Sequence, residues 1–462
     1  MSPGRPKGRV RSRGKPPRRR PLGARELALQ ILVATESRHA YSDRLLESRL
    51  RESGLPPRDA AMVTALVQGT LRHQGTLDHH LASFTGPRWE GLPLWIRQAL
   101  RLGALQILVL SRIPSSAAVD ESVKLAKKYG HPGTAGLVNA VLRRLAGGER
   151  APLPDPSLDP AGYLAVAHSH PRWLVERWLK RYGADTCAQL LQANNVEPRV
   201  SVRANRARLT TEALALALRD EGHAVEPGPN GGPVLLVGEG FVAARSPLFR
   251  SGSLSLQDEA EAVVVGILGP KHGDAALDMA AAPGGKASQI AEGVLPSGFV
   301  AAMERSKSRA IALQSNLVGR LALPRVWTLC ADATAPPVRG PFDRVLVDAP
   351  CSGLGVIRRR ADARWRKPEG VIAEMASLQA PLLEAAASLV RSGGVLVYSV
   401  CSLEPEETEA IVNPFLTRHP EFFLEDARPL LPPSFRGSDY FFRAMPHAHG
   451  TDGVFAARLV RR

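Results

Sequence analysis

The hydrophobic positions of the chain follow two different periods, and the period changes partway along the sequence. From residue 25 to residue 146, apolar residues recur at intervals of three and four, which is typical of amphipathic helices. The clearest repeats lie in residues 24–33, 58–71, 94–110 and 118–128. Ser115 and Ser116 are candidate caps for the last of these helices, and Gly130 with Pro132 marks its end. Several helices of this length joined by short loops predict an all-α bundle.

A linker and a further helix follow the bundle. Residues 147–160 repeat proline, glycine and aspartate, which indicates a connecting segment. Residues 171–182 form an amphipathic pattern with Trp173 and Trp178 on its apolar side, so packing is a better interpretation than RNA stacking. A strand, a helix and a second strand are then predicted at residues 200–205, 211–221 and 233–237. They indicate a small α+β domain that serves as an adaptor.

From about residue 255 onward, strand and helix patterns alternate. Strands are predicted at residues 275–279, 298–303, 325–330, 342–348 and 394–400. Helices are predicted at residues 285–291, 306–320 and 373–390. This alternation predicts a doubly wound sheet with a Rossmann-like start. Two strand-like pieces in residues 438–460, around a turn at 447–453, should add an antiparallel hairpin to one edge.

These patterns predict a multidomain chain with an all-α bundle, a small α+β adaptor and a Rossmann-like α/β domain. The predicted segments are a basic tail at 1–22, the bundle at 23–148, the linker and adaptor at 149–254, and the α/β domain at 255–462.

Composition narrows the classes of protein to which the chain can belong. Its 462 residues exceed one ordinary hydrophobic core, and no apolar run is long enough for a membrane span. The N-terminus carries arginines without an apolar stretch, unlike a secretory signal. Four cysteines without a CxxC pair argue against a disulfide framework or a zinc ribbon. We therefore expect a cytoplasmic, monomeric protein that binds neither a membrane nor a metal.

The charge of the chain is strongly basic, at +16. Residues 1–20 contain nine Lys/Arg and no acid, and their composition predicts disorder. This tail is either an electrostatic arm for nucleic acid or a dispensable solubilising segment. His79 and His80 are adjacent on a predicted helix, where side chains point about 100° apart, so they are expected to be surface histidines rather than metal ligands.

Polar and glycine-rich elements follow the ends of four predicted strands. The loop from Asp278 to Lys286 follows the first strand and is rich in alanine and glycine, which leave room for a ligand to approach the backbone. Carboxylates follow the next three strands. The predicted cofactor-binding residues are Ala280, Ala281, Ala282, Pro283, Gly284, Gly285, Lys286, Glu304, Asp332 and Asp348. Glu304 should accept the ribose hydroxyls and Asp332 should meet the adenine amine. Because GxGxxG spacing is missing, S-adenosyl-L-methionine is favoured over NAD.

Two cysteines follow neighbouring strands of the same domain. Cys401 follows the apolar run Val395–Val400 and precedes Ser402 and a predicted acidic helix start. A helix N-terminus at this place would lower the pKa of the Cys401 thiol. Alone, such a cysteine is more often a small core residue. Cys351 follows Asp348 at the end of the preceding strand, and two thiols at one sheet edge beside a cofactor loop are hard to attribute to packing.

These segments resemble the RNA cytosine-C5 methyltransferases of the Nol1/Nop2/Sun family. The residues that carry the resemblance are 281–286 (AAPGGK), 348–352 (DAPCS) and 400–402 (VCS). Residues 25–146 are similar to a NusB-like domain, notably in segments 101–107 and 136–144. Together with residues 355–359, this domain resembles that of the Sun/Fmu-type small-subunit rRNA methyltransferases. The resemblance covers nearly the whole chain apart from the basic tail.

The resemblance implies a residue-by-residue mechanism. Cys401 would be the nucleophile that adds to cytosine C6, and Cys351 would assist release of the product. Asp348 would hold the N3/N4 edge of the base, and Lys286 would contact cofactor or base. Ala280 and Ala287 stand where the family usually has cysteine and Thr/Ser, and Glu304 where aspartate is frequent. The target would be an unstacked cytosine.

The implied function is formation of 5-methylcytosine in 16S rRNA, at a cytosine in the decoding-site hairpin loop. Two alternatives remain at this point. The same chemistry could act on tRNA or large-subunit rRNA, or the chain could be a noncatalytic ribosome-assembly factor that binds RNA. The presence of Cys351, Cys401 and the glycine-rich loop argues against the second alternative.

Overall fold

The structure is a computed structural model that describes residues 22–38 and 40–462. The predicted basic tail lies outside these residues except for Leu22. The chain divides into two compact units. The first comprises residues up to 71 together with 80–151, and the second comprises residues 72–79 and 152–462.

The first unit is built from helices. They are α1 (Ala24–Ser37), α2 (Ser42–Ser53), α3 (Pro57–Thr85, of which 72–79 group with the second unit), α4 (Arg88–Gly91), α5 (Leu94–Leu108), α6 (Ser115–Tyr129) and α7 (Pro132–Ala146). The predicted all-α bundle is confirmed. Helix α5 buries an unbroken run from Gln98 to Gln106, which makes it the central helix of this core.

Two local predictions in this unit are wrong. Ser115 and Ser116 do not cap α6, because the helix already includes both residues and Pro114 occupies the N-cap position. His80 is not a surface residue: its ring is 8% exposed, and its Nδ1 accepts a hydrogen bond from the Ala151 main-chain N–H at 3.2 Å.

The second unit begins with two helices and a small sheet. The helices are α8 (Pro160–Ala167) and α9 (Arg172–Asn195), and the latter bends at Gly183. The sheet and its helices contain β1 (Val200–Ala204), α10 (Thr211–Asp220), β2 (Val225–Pro227), β3 (Leu235–Val237), α11 (Pro247–Arg250) and β4 (Leu254–Leu256). Its strand order is β2-β3-β1-β4, antiparallel throughout. The predicted α+β adaptor is confirmed, with two strands more than its sequence pattern indicates.

The rest of the second unit is a mixed sheet with helices on both faces. Its elements are α12 (Glu259–Leu268), β5 (Ala275–Asp278), α13 (Gly285–Val294), β6 (Phe299–Glu304), α14 (Lys307–Gln314), β7 (Val326–Cys330), β8 (Phe342–Asp348), α15 (Ala363–Arg366), α16 (Val371–Ala387), β9 (Val390–Val400), α17 (Glu409–Arg418), β10 (Phe422–Leu424), β11 (Phe442–Ala444), α18 (Pro446–His449) and β12 (Val454–Arg461). Residues 315–320 continue α14 as a π-helix, so the single helix predicted at 306–320 has two parts.

The strand order of this sheet is β10-β12-β9-β8-β5-β6-β7, with β11 paired to β12. The five strands from β5 to β9 run parallel, and β12 joins β9 antiparallel, which confirms the Rossmann-like fold with an added hairpin. Buried apolar clusters cover both faces, as parallel sheets require. The strand order reverses between β5 and β8, and ligands of such sheets bind outside the carboxyl ends of the strands at that point.

Candidate active site

The loop between β5 and α13 lies at the switch point of the sheet. Gly284 immediately precedes α13 and adopts φ +108°, a conformation that favours glycine. A Cβ at this position would lie 3.1 Å from side-chain atoms of both Leu313 and Leu317. Behind the loop, the Ala282 carbonyl accepts a hydrogen bond from Arg309 at 2.8 Å, and the Pro283 carbonyl accepts one from Asn316 at 2.8 Å. These two hydrogen bonds fix the main chain of the loop against α14 and the π-helix that continues it.

Lys286, in the first turn of α13, connects this loop to the end of β8. Its Nζ lies 3.0 Å from Asp348 Oδ2 and 3.7 Å from Glu261 Oε1, and the Lys286 side chain is 11% exposed. Burial alone would lower the pKa of this ammonium, but the two carboxylates outweigh burial and raise it. A negative charge on Cys401 contributes to the same rise. Ser399 Oγ donates to Asp348 Oδ1 at 2.7 Å, which fixes the carboxylate from the side of β9.

Glu304 and Asp332 lie at the ends of β6 and β7. Glu304 is 5% exposed, accepts the Ser306 N–H at 2.8 Å, and is 3.2 Å from Arg309. Asp332 is more open, and its Oδ1 accepts hydrogen bonds from the Thr334 main chain and hydroxyl. These bonds to Thr334 lower the pKa of Asp332. The roles of both carboxylates toward a nucleoside stay predictions.

Asp278, which closes β5, is a site residue that the sequence reasoning passed over. Its side chain is 1% exposed, and its Oδ2 has no hydrogen-bond partner among residues 22–38 and 40–462. Burial, reinforced by the neighbouring charge of Asp348, raises the pKa of Asp278 to about 7. An orphaned buried carboxyl oxygen at the switch point is suited to a ligand that brings a donor or a positive charge.

The buried Asp278 predicts a pH-dependent stability. Because its folded pKa lies above the unfolded value, the contribution of Asp278 to the free energy of unfolding should fall as pH rises from about 4 to about 7 and then level off, by on the order of 4 kcal/mol in total. Asp278→Asn should remove this decline, measured as denaturant midpoints across pH. The matched control Asp185→Asn, at an exposed position on α9, should keep the wild-type slope. An unchanged slope in Asp278→Asn would contradict the assignment.

The two predicted active-site cysteines lie together. Cys351 Sγ and Cys401 Sγ are 2.9 Å apart, longer than the ~2.05 Å of a disulfide, and both thiols are free and partly exposed. The hydrogen bond to Cys401, followed by burial, raises the pKa of the Cys351 thiol. Gly355 packs against the main chain beside this pair: its N–H donates to the Cys401 carbonyl at 3.1 Å, and a Cβ there would lie 2.0 Å from the Gly453 carbonyl oxygen, so only glycine fits.

One reason offered for the reactivity of Cys401 is wrong. The sequence predicted a helix start directly after Ser402, but residues 405–407 form a single 3₁₀ turn and α17 begins only at Glu409. No helix therefore begins directly after the Cys401 thiol. The charge that lies near it is the ammonium of Lys286.

The residues described contain no group of three or more His, Cys, Asp or Glu side chains that could hold a metal ion. Within the same residues, no helix is both long and apolar enough to cross a membrane.

Comparison with known protein families divides the chain into three matched regions. Residues 22–147 match the NusB family, residues 170–240 match a ferredoxin-like domain of RsmF/B-like methyltransferases, and residues 265–460 match the family described as 16S rRNA methyltransferase RsmB/F. The three matches agree in order with the bundle, the small α+β sheet and the large mixed sheet.

Curated relatives and solved structures are similar over most of their lengths. The chain is 34% identical to "Probable ribosomal RNA small subunit methyltransferase B" of Bacillus subtilis, over 95% of this chain and 98% of the relative. It is 32% identical to ribosomal RNA small subunit methyltransferase B of Erwinia tasmaniensis, over 88% and 91%. The crystal structure of PH0851 superimposes with a TM-score of 0.81 at 29% identity, covering 95% of this chain and 99% of that one.

Proposed function

The chain belongs to the RsmB/F family of methyltransferases, and from this premise we propose that it transfers a methyl group from S-adenosyl-L-methionine to C5 of a cytosine in small-subunit rRNA. The single observation that carries the cytosine-C5 chemistry is the pair of thiols 2.9 Å apart at the ends of β8 and β9, beside Asp348 and Lys286. The names of the relatives support small-subunit rRNA as the substrate class, and the family description supports 16S rRNA.

The residues at the switch point fit the proposed cofactor. When bound, S-adenosyl-L-methionine supplies an electrophilic methyl group on a positively charged sulfur. Asp278 offers a buried carboxyl oxygen that has no partner among the described residues. At Gly285 a Cβ would meet only the Leu256 carbonyl oxygen, at 3.8 Å, so a ligand has room to approach the loop there. Glu304, buried at the end of β6, would accept the ribose hydroxyls. These residues would hold the cofactor, together with the main chain of residues 280–286 and the Asp332 carboxylate.

Cys401 supplies the nucleophile in this proposal. The C5 atom of cytosine is a weak nucleophile, so the Cys401 thiolate first forms a bond from its sulfur to C6. The electron pair displaced from the C5–C6 double bond makes C5 enamine-like and able to form the new bond to the methyl carbon. The Lys286 ammonium stabilises the thiolate electrostatically, since the negative charge of Cys401 contributes to the raised pKa of Lys286. Asp348 holds the N3/N4 edge of the base while N3 gains a proton.

Cys351 completes the cycle. After methyl transfer, C5 still carries its original proton, and the C6–S bond must break. Cys351, whose sulfur lies 2.9 Å from the Cys401 sulfur, first loses its own proton to solvent and then takes the C5 proton as a thiolate. The C5–H electron pair re-forms the C5–C6 double bond, and the C6–S bond breaks with its electron pair, so that Cys401 leaves as a thiolate. N3 returns to solvent the proton that it took up during the addition. The raised pKa of Cys351 makes this thiol a suitable acceptor for a weakly acidic proton once it is deprotonated.

Bisulfite mapping of total RNA tests both the substrate and the base. Cells that lack the protein should lose 5-methylcytosine at one position of 16S rRNA, and a plasmid encoding the wild type should restore it. A plasmid encoding Cys401→Ala at equal expression should not. Loss of the mark in tRNA or large-subunit rRNA would move the activity to those substrates. An unchanged map would favour a noncatalytic assembly factor.

The basic tail makes a separate prediction about RNA affinity. Residues 1–20 carry nine positive charges, and each phosphate that they neutralise adds about −0.7 to −0.9 to the slope of log K against log salt. Deleting them should weaken binding to 16S rRNA fragments and flatten this slope, measured by filter binding at several salt concentrations. A deletion variant with the wild-type slope would indicate a solubilising tail instead.

A further inference from the structure

A buried glutamate lies directly behind the two cysteines. Glu407 is 0% exposed, and it takes part in none of the ion pairs found in the part of the chain that the structure describes. Burying a carboxylate without a counter-ion is costly unless hydrogen-bond donors replace its water. The position of Glu407 therefore requires an explanation in the donors around it.

Four donors from three different segments surround the Glu407 carboxylate. Oε1 accepts the Ser352 main-chain N–H at 2.6 Å and the Gln379 amide of α16 at 3.1 Å. Oε2 accepts the hydroxyls of Ser352 and Ser402. Four donors fill the acceptor capacity of a carboxylate. Each hydroxyl and the N–H belong to residues next to a cysteine, so this single side chain connects the loop after β8 to the loop after β9.

The other contacts of Glu407 fix its own position. The Tyr398 hydroxyl donates to the Glu407 main-chain carbonyl at 2.7 Å, and the Gln379 amide also donates to the Pro350 carbonyl at 2.9 Å. On the outer side of the turn, Trp178 of α9 donates to Glu404 at 2.9 Å. The turn that carries Glu407 is thereby attached to β9, α16 and α9, while its carboxylate faces both cysteine loops.

We propose that Glu407 is a positioning residue that sets the separation of the two active-site thiols by binding both serines that follow them. This inference rests on the proposed function, because it concerns the order in which Cys401 and Cys351 act. Glu407 touches neither thiol through a hydrogen bond; it acts through Ser352 and Ser402.

The negative charge of Glu407 has a second effect on the same pair. The hydrogen bond that the Cys351 thiol donates to Cys401, burial, the Cys401 charge and then the Glu407 charge raise the pKa of the Cys351 thiol, in that order of size. Tyr398 also packs here, and burial raises the pKa of its hydroxyl, so it stays neutral. Glu407 therefore helps to keep Cys351 protonated while Cys401 attacks, which separates the roles of two otherwise similar thiols.

Glu407→Gln tests the geometry. The glutamine keeps the volume but presents an NH₂ group to some of the four donors, so the two loops should move apart. A displacement on the scale of 1 Å lowers the rate of a positioned reaction by about 100-fold. We expect this loss in single-turnover methyl transfer to a 16S rRNA fragment, with an unchanged circular-dichroism spectrum and unchanged affinity for S-adenosyl-L-methionine by calorimetry.

The pH dependence distinguishes positioning from loss of fold. In Glu407→Gln the pKa of Cys351 should fall, so the decay of the covalent protein–RNA adduct should reach its high-pH rate at lower pH than in the wild type. Glu407→Asp keeps the charge but shortens the side chain; it should lower the rate while retaining the wild-type pH profile of adduct decay. A merely structural role would leave that profile unchanged in both variants.

Glu406→Gln is the matched control, because Glu406 lies in the same turn, is partly exposed and pairs with Arg177 instead. It should keep both the rate and the pH profile of the wild type. Wild-type kinetics in Glu407→Gln, or an identical loss in Glu406→Gln, would overturn the positioning role. If the wild type itself formed no 5-methylcytosine and no adduct, the proposed function would fail instead.

Discussion

Replacing Cys401 by alanine should abolish methyl transfer to 16S rRNA, by about 10⁴-fold or more, the scale on which loss of a covalent nucleophile acts. Without a thiolate at C6, C5 of cytosine does not become electron-rich enough to take the methyl group. Cofactor binding should persist, because Cys401 is not among the residues expected to hold the cofactor, which lie on and after β5 to β8 and at the start of α13. The measurements are tritium transfer from labelled cofactor and calorimetric titration of the cofactor on the same preparation.

Two companion variants make this prediction sharper. Cys401→Ser keeps a hydroxyl of similar size but cannot provide a thiolate, and it should be as inactive as Cys401→Ala. Cys330→Ser removes the exposed thiol at the end of β7 and should retain wild-type activity. Because Cys351 lies 2.9 Å from Cys401, residual activity could come from that thiol, and it should then disappear in the double variant. Normal turnover by Cys401→Ala would exclude it as the nucleophile.

Sequence patterns located the strands of the active-site sheet because these strands are buried on both faces. Strand β8 has the bounds that its apolar run predicts, Phe342–Asp348, and β5 and β6 differ by one residue at their ends. Since carboxyl ends of parallel strands share one edge, residues 50 positions apart could be placed together without coordinates. The proximity of Cys351 and Cys401 follows from this rule alone.

Features that depend on distant partners escaped the sequence patterns. Strand β9 begins at Val390 rather than 394, because Val390 pairs with Phe342 across the sheet and a register shift accommodates the intervening residues. His80 is buried through a contact with Ala151, 71 positions away. A local pattern describes one segment at a time and carries no information about such partners.

Glu407 shows the same limit at the active site. Its position in a run of acidic residues suggested a helix start, and its burial follows only from Ser352, 55 positions earlier, and Gln379. One signal was present in the sequence: both cysteines are followed by serine. Two identical polar neighbours at the ends of adjacent buried strands indicate a shared acceptor, since buried hydroxyls need hydrogen-bond partners. That acceptor is the Glu407 carboxylate.

Replacing Cys351 by alanine should trap the RNA on the protein. The substitution leaves Cys401, Lys286 and Asp348 in place, so the bond to C6 and the methyl transfer should still occur. Release needs a base for the C5 proton, and that base is removed. A stable covalent complex should therefore accumulate and appear as a slower band on a denaturing gel, at an amount approaching one RNA per protein, while multiple turnover falls by about 100-fold or more.

Three controls tie the trapped band to this chemistry. The double variant Cys351→Ala/Cys401→Ala should form no band, because the nucleophile is missing. Omitting S-adenosyl-L-methionine should reduce the amount of the covalent complex. An unmethylated adduct can revert by loss of the thiolate, whereas a methylated adduct must lose the C5 proton before release. Ribonuclease digestion should return the band to the gel mobility of the free protein. If Cys351→Ala turned over normally without a band, proton removal would belong to another group, and Asp348, at the end of the strand that precedes Cys351, would be the next carboxylate to test. A band in the double variant would instead show that the bond forms elsewhere, so the two outcomes separate the release role of Cys351 from the nucleophile role of Cys401.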